Sequence, residues 1–518
     1  MIRGRASRIV CVTVAFVAAA CLPSIATANS TFDAGVRYVT AVTARRVSTT
    51  EKKLPSRTFT YYTTGSTWSL VGPQGWTGGY FPGELWTEYA LTGDSWFKSR
   101  AASRQAAIGK SVIDANSTDI GIRWFYTYAH AFEQTGNSAY RTQALRAAKG
   151  EAVRFNRAAG VVRSRNTAGT CQVVIDELMN LQILYWGTEN GGPASWRDIA
   201  HRHALTVARD FVRADGSVVH IIDYNPTTGA VVKPEAGQGY STTSMWARGQ
   251  AWAIHGFATA YRKTLDPLML ATARKVADRY LTDAPADTVP YWDFRDPSIP
   301  NAPRDSAAAA VAASGLLDLA TSDPDPANRA RYADAARTTL ANLVSPTYLS
   351  MGANPALLLH GTMNWWNPAT RDVGQSFGDY FLLEAIQRLR TLPPETPALP
   401  IARVRASKGN PQAAVDGNFS TPWTSTGNQW LELDLGAMQP MQAASVAVRS
   451  GWSRSATFKL YVSNDRKWWG LVTTVRSSGE TALPETYTFT PTNARYLRIV
   501  CSGTSRDSAN GILEASVH

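Results

Sequence analysis

Four prolines in the ten residues 391–400 divide this 518-residue chain into two parts that cannot share one fold. Proline lacks the N–H that a helix interior or central strand needs. Thr-Leu-Pro-Pro-Glu-Thr-Pro-Ala-Leu-Pro therefore reads as an extended, semi-rigid linker. Before it, Ala, Leu, Trp and Tyr recur at helical spacing. After it, short alternating runs are separated by turns. The expectation is a mainly α domain at 29–390, a linker at 391–400 and a β domain at 401–518, each long enough for its own core.

Residues 1–28 read as a secretory signal peptide. Arg3, Arg5 and Arg8 form a basic start, Ile9 to Ala20 an apolar stretch, and Ala26-Thr27-Ala28 a small-residue cleavage site. The apolar stretch is too short to span a membrane. A secreted protein, extracellular or periplasmic, is expected. Cys171 and Cys501 remain after cleavage, in different domains, so no disulfide is expected between them. The net charge of +12 includes the three leader arginines. The remaining basic residues are scattered, which argues against nucleic acid and suits an acidic polysaccharide equally well.

Helical stretches upstream end in Leu91-Thr92-Gly93, Gln134-Thr135-Gly136 and near Thr188-Glu189-Asn190-Gly191, each stopped by glycine. Ala307 to Ala320 reads as another helix, capped by Asp305 or Ser306. Asp215 to Pro226 reads as a small hairpin. Two aromatic-rich segments carry polar stripes. In Val174–Trp186, Asp176 and Asn180 share one helix face at i and i+4. In Ser244–Gly256, Ser244, Arg248, Trp252 and His255 do the same. An acid on one helix facing an arginine and a tryptophan on another suits an acidic sugar. His201 and His203 face apart on a helix and read as surface residues rather than metal ligands.

These segments, in order, resemble the unsaturated glucuronyl hydrolases of glycoside hydrolase family 88. The resemblance runs from Trp76 to Leu389. It is carried by Gly79-Tyr-Phe-Pro-Gly-Glu-Leu-Trp86, Thr118-Asp119-Ile120-Gly121, Ile175-Asp176-Glu177-Leu178-Met179-Asn180-Leu181, Asp215-Gly216-Ser217-Val218-Val219-His220, Gln238-Gly239-Tyr240, Trp246-Ala-Arg-Gly-Gln-Ala-Trp252, Pro290-Tyr-Trp-Asp-Phe294 and Arg304-Asp305-Ser306. It implies an (α/α)6 barrel, with Asp176 as general acid and base and Asp119 as its partner. His220, Gln238, Arg248, Trp252, Trp76 and Asn180 would bind substrate. Thr118 stands where the family typically has histidine, which leaves substrate detail open. The implied reaction hydrates the C4=C5 double bond of an unsaturated uronyl end, and one carboxyl can give and take the proton. No cofactor is implied for catalysis. The neighbouring unsaturated rhamnogalacturonyl hydrolases share the Trp-x-Arg-Gly-Gln-x-Trp motif, and an inactive glycan-binding scaffold is the reading from another class.

In the downstream region, Leu431, Leu433 and Leu435 alternate with Glu432 and Asp434. Ala414-Val-Asp-Gly-Asn-Phe-Ser-Thr-Pro-Trp423, Tyr461 to Asp465 and Ala494 to Ile499 resemble discoidin-like (coagulation factor type C) domains, and so family 32 carbohydrate-binding modules. The resemblance implies a jelly-roll β-sandwich that binds a glycan, with a structural calcium ion held by Asp416, Thr421 and Glu514. Trp452 and Arg454 lie on a loop where such modules can bind sugar.

Overall fold

The computed structural model describes residues 25–113, 117–165, 169–390, 398–416, 421–449, 451, 454–477 and 484–518, the side chains of 25–38, 326 and 486 excepted. Residues 1–24 of the expected leader, 391–397 of the expected linker and Trp452 lie outside this set.

Two rings of helices form the first domain. The inner ring consists of Tyr80–Thr92, the run Ile120–Trp124, Phe125–Ala129 and His130–Thr135, the pair Glu177–Asn180 and Gln182–Glu189, then Ala247–Thr264, Ser306–Ser322 and Ser376–Leu389. The outer helices are Ile25–Lys53, Ser95–Gly109, Ser138–Ala152, Ser195–Asp210, Pro267–Asp283 and Pro326–Leu343. Burial separates the rings. Every residue from Ala247 to Tyr261 and from Ser306 to Ala320 is buried, whereas the outer helices bury only one stripe. A helix apolar all round must be enclosed on every side. Small side chains, as in Ala307–Ala310, let the inner helices approach closely. Each inner helix packs on the next, and Ser376–Leu389 closes the ring on Tyr80–Thr92. This is an (α/α)6 barrel. No helix among the described residues is long and apolar enough to cross a membrane.

The helix stops behave as the sequence implies. Gly93 and Gly136 take the left-handed conformation, and each donates its N–H back to the last turn. Asp305 caps Ser306–Ser322, accepting from the Ala308 N–H at 3.3 Å. Three readings need correction. Val174–Trp186 is not one helix. Cys171–Val174 is a strand paired with Ile221–Tyr224, and the chain then turns through Ile175 and Asp176 into two short helices. Ser244 lies outside its helix, which begins at Ala247, because its hydroxyl is bonded to Asp293 at 2.7 Å. His203 is fully buried, and its Nδ1 accepts from the Val162 N–H, whereas His201 pairs with Asp266 at 2.7 Å.

The second domain is an antiparallel β-sandwich. Gln429–Val448 and Glu485–Thr504 are long strands that pair in three blocks, with register breaks between Asp434 and Gln439 and between Met441 and Ala443. Leu431, Leu433, Leu460, Leu497 and Ile499 fill the core. Glu432 and Asp434 face the other way, yet they too are buried, beneath arginines. Cys171 and Cys501 are both free and buried. The helix Ile25–Lys53 touches both long strands, so the sandwich rests on the barrel.

Candidate active site

The expected site residues gather where the inner helices begin. Asp176 is the residue before Glu177–Asn180, Asp119 precedes Ile120–Trp124, and Arg248 is in the first turn of Ala247–Thr264. Asp305 and Gln375 precede the next two inner helices. Helix N-termini present N–H groups and partial positive charge, so this end of the barrel favours an anionic ligand.

Asp176 sits at the floor with its side chain 22% exposed. Its Oδ1 is buried without a hydrogen-bond partner. Burial pushes the carboxyl up to about 6, against the pull of the Arg248 charge, and the Asp119 charge adds to the rise. His220 Nε2 lies 3.8 Å from Asp176 Oδ1. His220 Nδ1 lies 3.2 Å from the Ala236 carbonyl and 2.7 Å from the Gln238 nitrogen, whose N–H can only donate; the shorter contact makes Nδ1 the acceptor and puts the proton of the neutral ring on Nε2, on the side of Asp176. Burial holds the imidazole down to about 3, hence neutral. The turn Ala236–Gln238 wraps the ring closely. Gly237 has φ of +56°, and a Cβ there would meet His220 Nδ1 at 2.1 Å.

Asp119 is held in the left-handed region at φ 51°. Arg123 locks this turn, donating to the carbonyls of Thr118 at 2.9 Å and Asp119 at 3.3 Å. The turn is tied to the Asp176 segment by Asn180, whose Oδ1 accepts from the Ile122 N–H at 2.8 Å. Asn180 was expected to bind substrate. Instead it is 1% exposed and caps the neighbouring inner helix. A Cβ on Gly121 would lie 2.1 Å from the Asn180 carbonyl oxygen, so the two segments touch backbone to backbone.

Arg248 also departs from expectation. Its two terminal nitrogens make four bonds, to Asp305 (2.8 Å), the Thr362 carbonyl (2.7 Å), Gln238 Oε1 (2.7 Å) and the Met363 carbonyl (2.9 Å). It is 1% exposed, stacked between Trp246 and Phe377. The guanidinium neutralises Asp305 and orients Gln238 rather than presenting a fork to a ligand. With its oxygen taken by Arg248, Gln238 turns its amide N–H groups elsewhere. Trp252 is 1% exposed and packs on Phe377 and Phe381, which makes it core and not a stacking platform. Trp76 is only half-buried, against Tyr61, Tyr80 and Phe377, and keeps an exposed part.

Sequence reasoning missed three neighbours. Trp246, quoted only within a motif, stacks on His220 with ring centroids 4.3 Å apart. Trp366, 60% exposed, donates its Nε1–H to the Gly237 carbonyl at 3.2 Å and so stands beside the His220 turn. Arg165 is exposed, and its charge reaches both Asp176 and His220. A lone arginine outside any motif leaves no signal in one sequence.

In the β domain, Thr421 donates to Asp416 Oδ2 at 2.7 Å, and Asp416 and Glu514 line one cleft. Among the described residues no group of three or more His, Cys, Asp or Glu is placed to hold a metal. Arg454 pairs with Asp507 at 3.0 Å.

The barrel is 36% identical over 330 residues to an unsaturated glucuronyl hydrolase of Formosa agariphila, covering 62% of this chain and 82% of that protein. It is 33% identical over 327 residues to one from Bacillus sp. (strain GL1), covering 61% and 86%. A solved unsaturated glucuronyl hydrolase specific for heparin superposes with a TM-score of 0.66 at 31% identity, covering 69% of this chain and 97% of that one. Residues 401–515 match the F5/8 type C domain. The chain belongs to the unsaturated glucuronyl hydrolase family.

Proposed function

We propose that this enzyme releases 4,5-unsaturated uronic acid from the non-reducing end of oligosaccharides left by polysaccharide lyases. The observation that carries this reading is Asp176, a carboxyl raised to about 6, with an unpartnered oxygen, facing a neutral His220. A carboxyl poised near 6 can exist in both forms at working pH, which one group acting as acid and then base requires. Asp176 protonates C4, water adds its oxygen at C5, and the carboxylate takes up the proton of that water. The hemiketal at C5 opens and the aglycone leaves. Asp119 raises the Asp176 carboxyl, and His220 Nε2–H steadies its charged form. The exposed Arg165, whose charge acts on both Asp176 and His220, is our candidate for meeting the substrate carboxylate, because the guanidinium of Arg248 is already held by four acceptors. Related structures hold dGlcA-Glc-Rha-Glc and dGlcA-GalNAc6S, which supports an acidic oligosaccharide here.

The leader-like residues 1–28 support export, and the barrel, linker and sandwich support the division at 390 and 401. Asp416, Thr421 and Glu514 offer hard oxygen donors that suit a structural Ca²⁺ in the accessory module. The test of the activity follows the ultraviolet absorbance of the conjugated C4=C5 bond. Lyase-cut oligosaccharides from glycosaminoglycan, ulvan-type and pectic polymers are each incubated with the full chain. Loss of absorbance on any of them supports the reading, and the rates rank the polymers. No loss on all of them removes it.

A further inference from the structure

The outward face of one sheet in the β domain is built unlike ordinary strand surface. Glu432 and Asp434, 1% and 2% exposed, lie beneath three arginines. Arg466 Nε and Arg498 each approach Glu432 at 2.8 Å. Arg495 Nε reaches Asp434 at 2.8 Å, and Arg466 reaches it at 3.1 Å. Arg498 is also stacked by rings, 3.7 Å from the Trp469 centroid and 4.2 Å from that of Trp430. Buried carboxylates and rings thus hold the guanidinium groups in fixed planes, and the buried Arg498 Nε has no partner. Fixed guanidinium forks suit carboxylate and sulfate oxygens.

The two carboxylates are already over-matched, yet more cations surround them. On the adjoining strand Arg403 and Arg405 stand in register opposite Asp434 and Glu432. Both are exposed, and neither forms an ion pair among the described residues. Lys459, on an interior strand, faces outward too. Trp468, in the hairpin that brings Trp469 over Arg498, is 82% exposed. Edge strands carry charge to block strand addition, which accounts for Arg403 and Arg405 but for neither Lys459 nor an exposed tryptophan.

We propose that this sheet face, and not a loop at the end of the sandwich, binds an acidic polysaccharide chain. Carboxylate or sulfate groups would lie over Arg403, Arg405 and Lys459, with a sugar ring against Trp468. The choice of an acidic glycan as occupant rests on the proposed reaction of the barrel, whose substrate is a fragment of such a polymer. The face would hold the enzyme on the material from which its substrate is cut.

The experiment measures binding of the full chain to chondroitin sulfate chains with saturated ends, by titration at low and high salt. Neutral dextran, phosphatidylserine vesicles and duplex DNA are run beside it. R403S/R405S and W468S, all at exposed positions, are compared with wild type after thermal unfolding confirms that they fold. Hydrolysis of a soluble unsaturated disaccharide is measured in parallel and is expected to be unchanged, so a failure of the face and a failure of the barrel reading stay distinct. The expected result is salt-sensitive binding to the sulfated chain, weakened at least about tenfold in each variant, with none to dextran. Equal binding by wild type and both variants, or equal affinity for vesicles or DNA, would overturn the proposal.

Discussion

His220 Nε2 points at Asp176 Oδ1 from 3.8 Å, too far for a hydrogen bond and near enough to become one when the carboxyl ionises. The imidazole is neutral because it is buried, and its tautomer is set by the Gln238 N–H. The pair therefore has one group that titrates near neutral pH and one that does not.

The pH dependence follows from that difference. Asp176 must carry its proton to attack the double bond, so kcat/KM is expected to fall above about pH 6. His220 stays neutral down to about 3 and adds no break in between. Asp119→Asn removes a charge that raises the Asp176 carboxyl and should move this limb to lower pH. A pH–rate profile of both proteins checks the direction.

The same shift has a stability consequence. The unfolded Asp176 ionises near its ordinary 3.8 and the folded one near 6. Ionisation therefore weakens the fold progressively across that interval, by as much as about 3 kcal/mol above it. Asp176→Asn is expected to raise the melting temperature at pH 8 and to leave it unchanged near pH 3. Calorimetry at the two pH values checks this.

Asn180→Ala should act without touching substrate. It leaves the Ile122 N–H unsatisfied at the start of the helix that follows Asp119, costing about 1–3 kcal/mol. The expected kinetic signature is a lower kcat with KM little changed, measured by initial rates.

Arg248→Met strands Asp305, a buried acid, without its cation. A loss of about 3–5 kcal/mol is expected from denaturant titration. An effect confined to KM would instead return Arg248 to the role of ligand.

Gly237→Ala places a methyl group against His220 Nδ1 at a positive φ. The turn must open and the imidazole must shift, so kcat should fall with only a modest loss of melting temperature. Circular dichroism and initial rates together separate the two effects.

Much of this architecture was legible in the chain. Glycine stops at Gly93 and Gly136 and the Asp305 cap are local signals that tertiary structure did not overrule. The collection of Asp119, Asp176, His220 and Gln238 at one barrel end came from motif order. What failed were burial judgements. Arg248 and Trp252 look like ligands on a helical wheel, but the wheel does not reveal that Thr362, Met363 and Asp305 surround one and Phe377 and Phe381 the other. Those partners lie between 50 and 140 residues away. Asn180 shares a helical face with Asp176 in the sequence, but its carboxamide is taken by a backbone N–H from another segment.

The most direct measurement is the absorbance loss with wild type and with Asp176→Asn on the best oligosaccharide. The account expects a rate lower by about 10²–10⁴-fold in the variant, the range set by removing a general acid and base. A variant as fast as wild type would contradict it and shift the proton transfer to another group, with Asp119 the next to test.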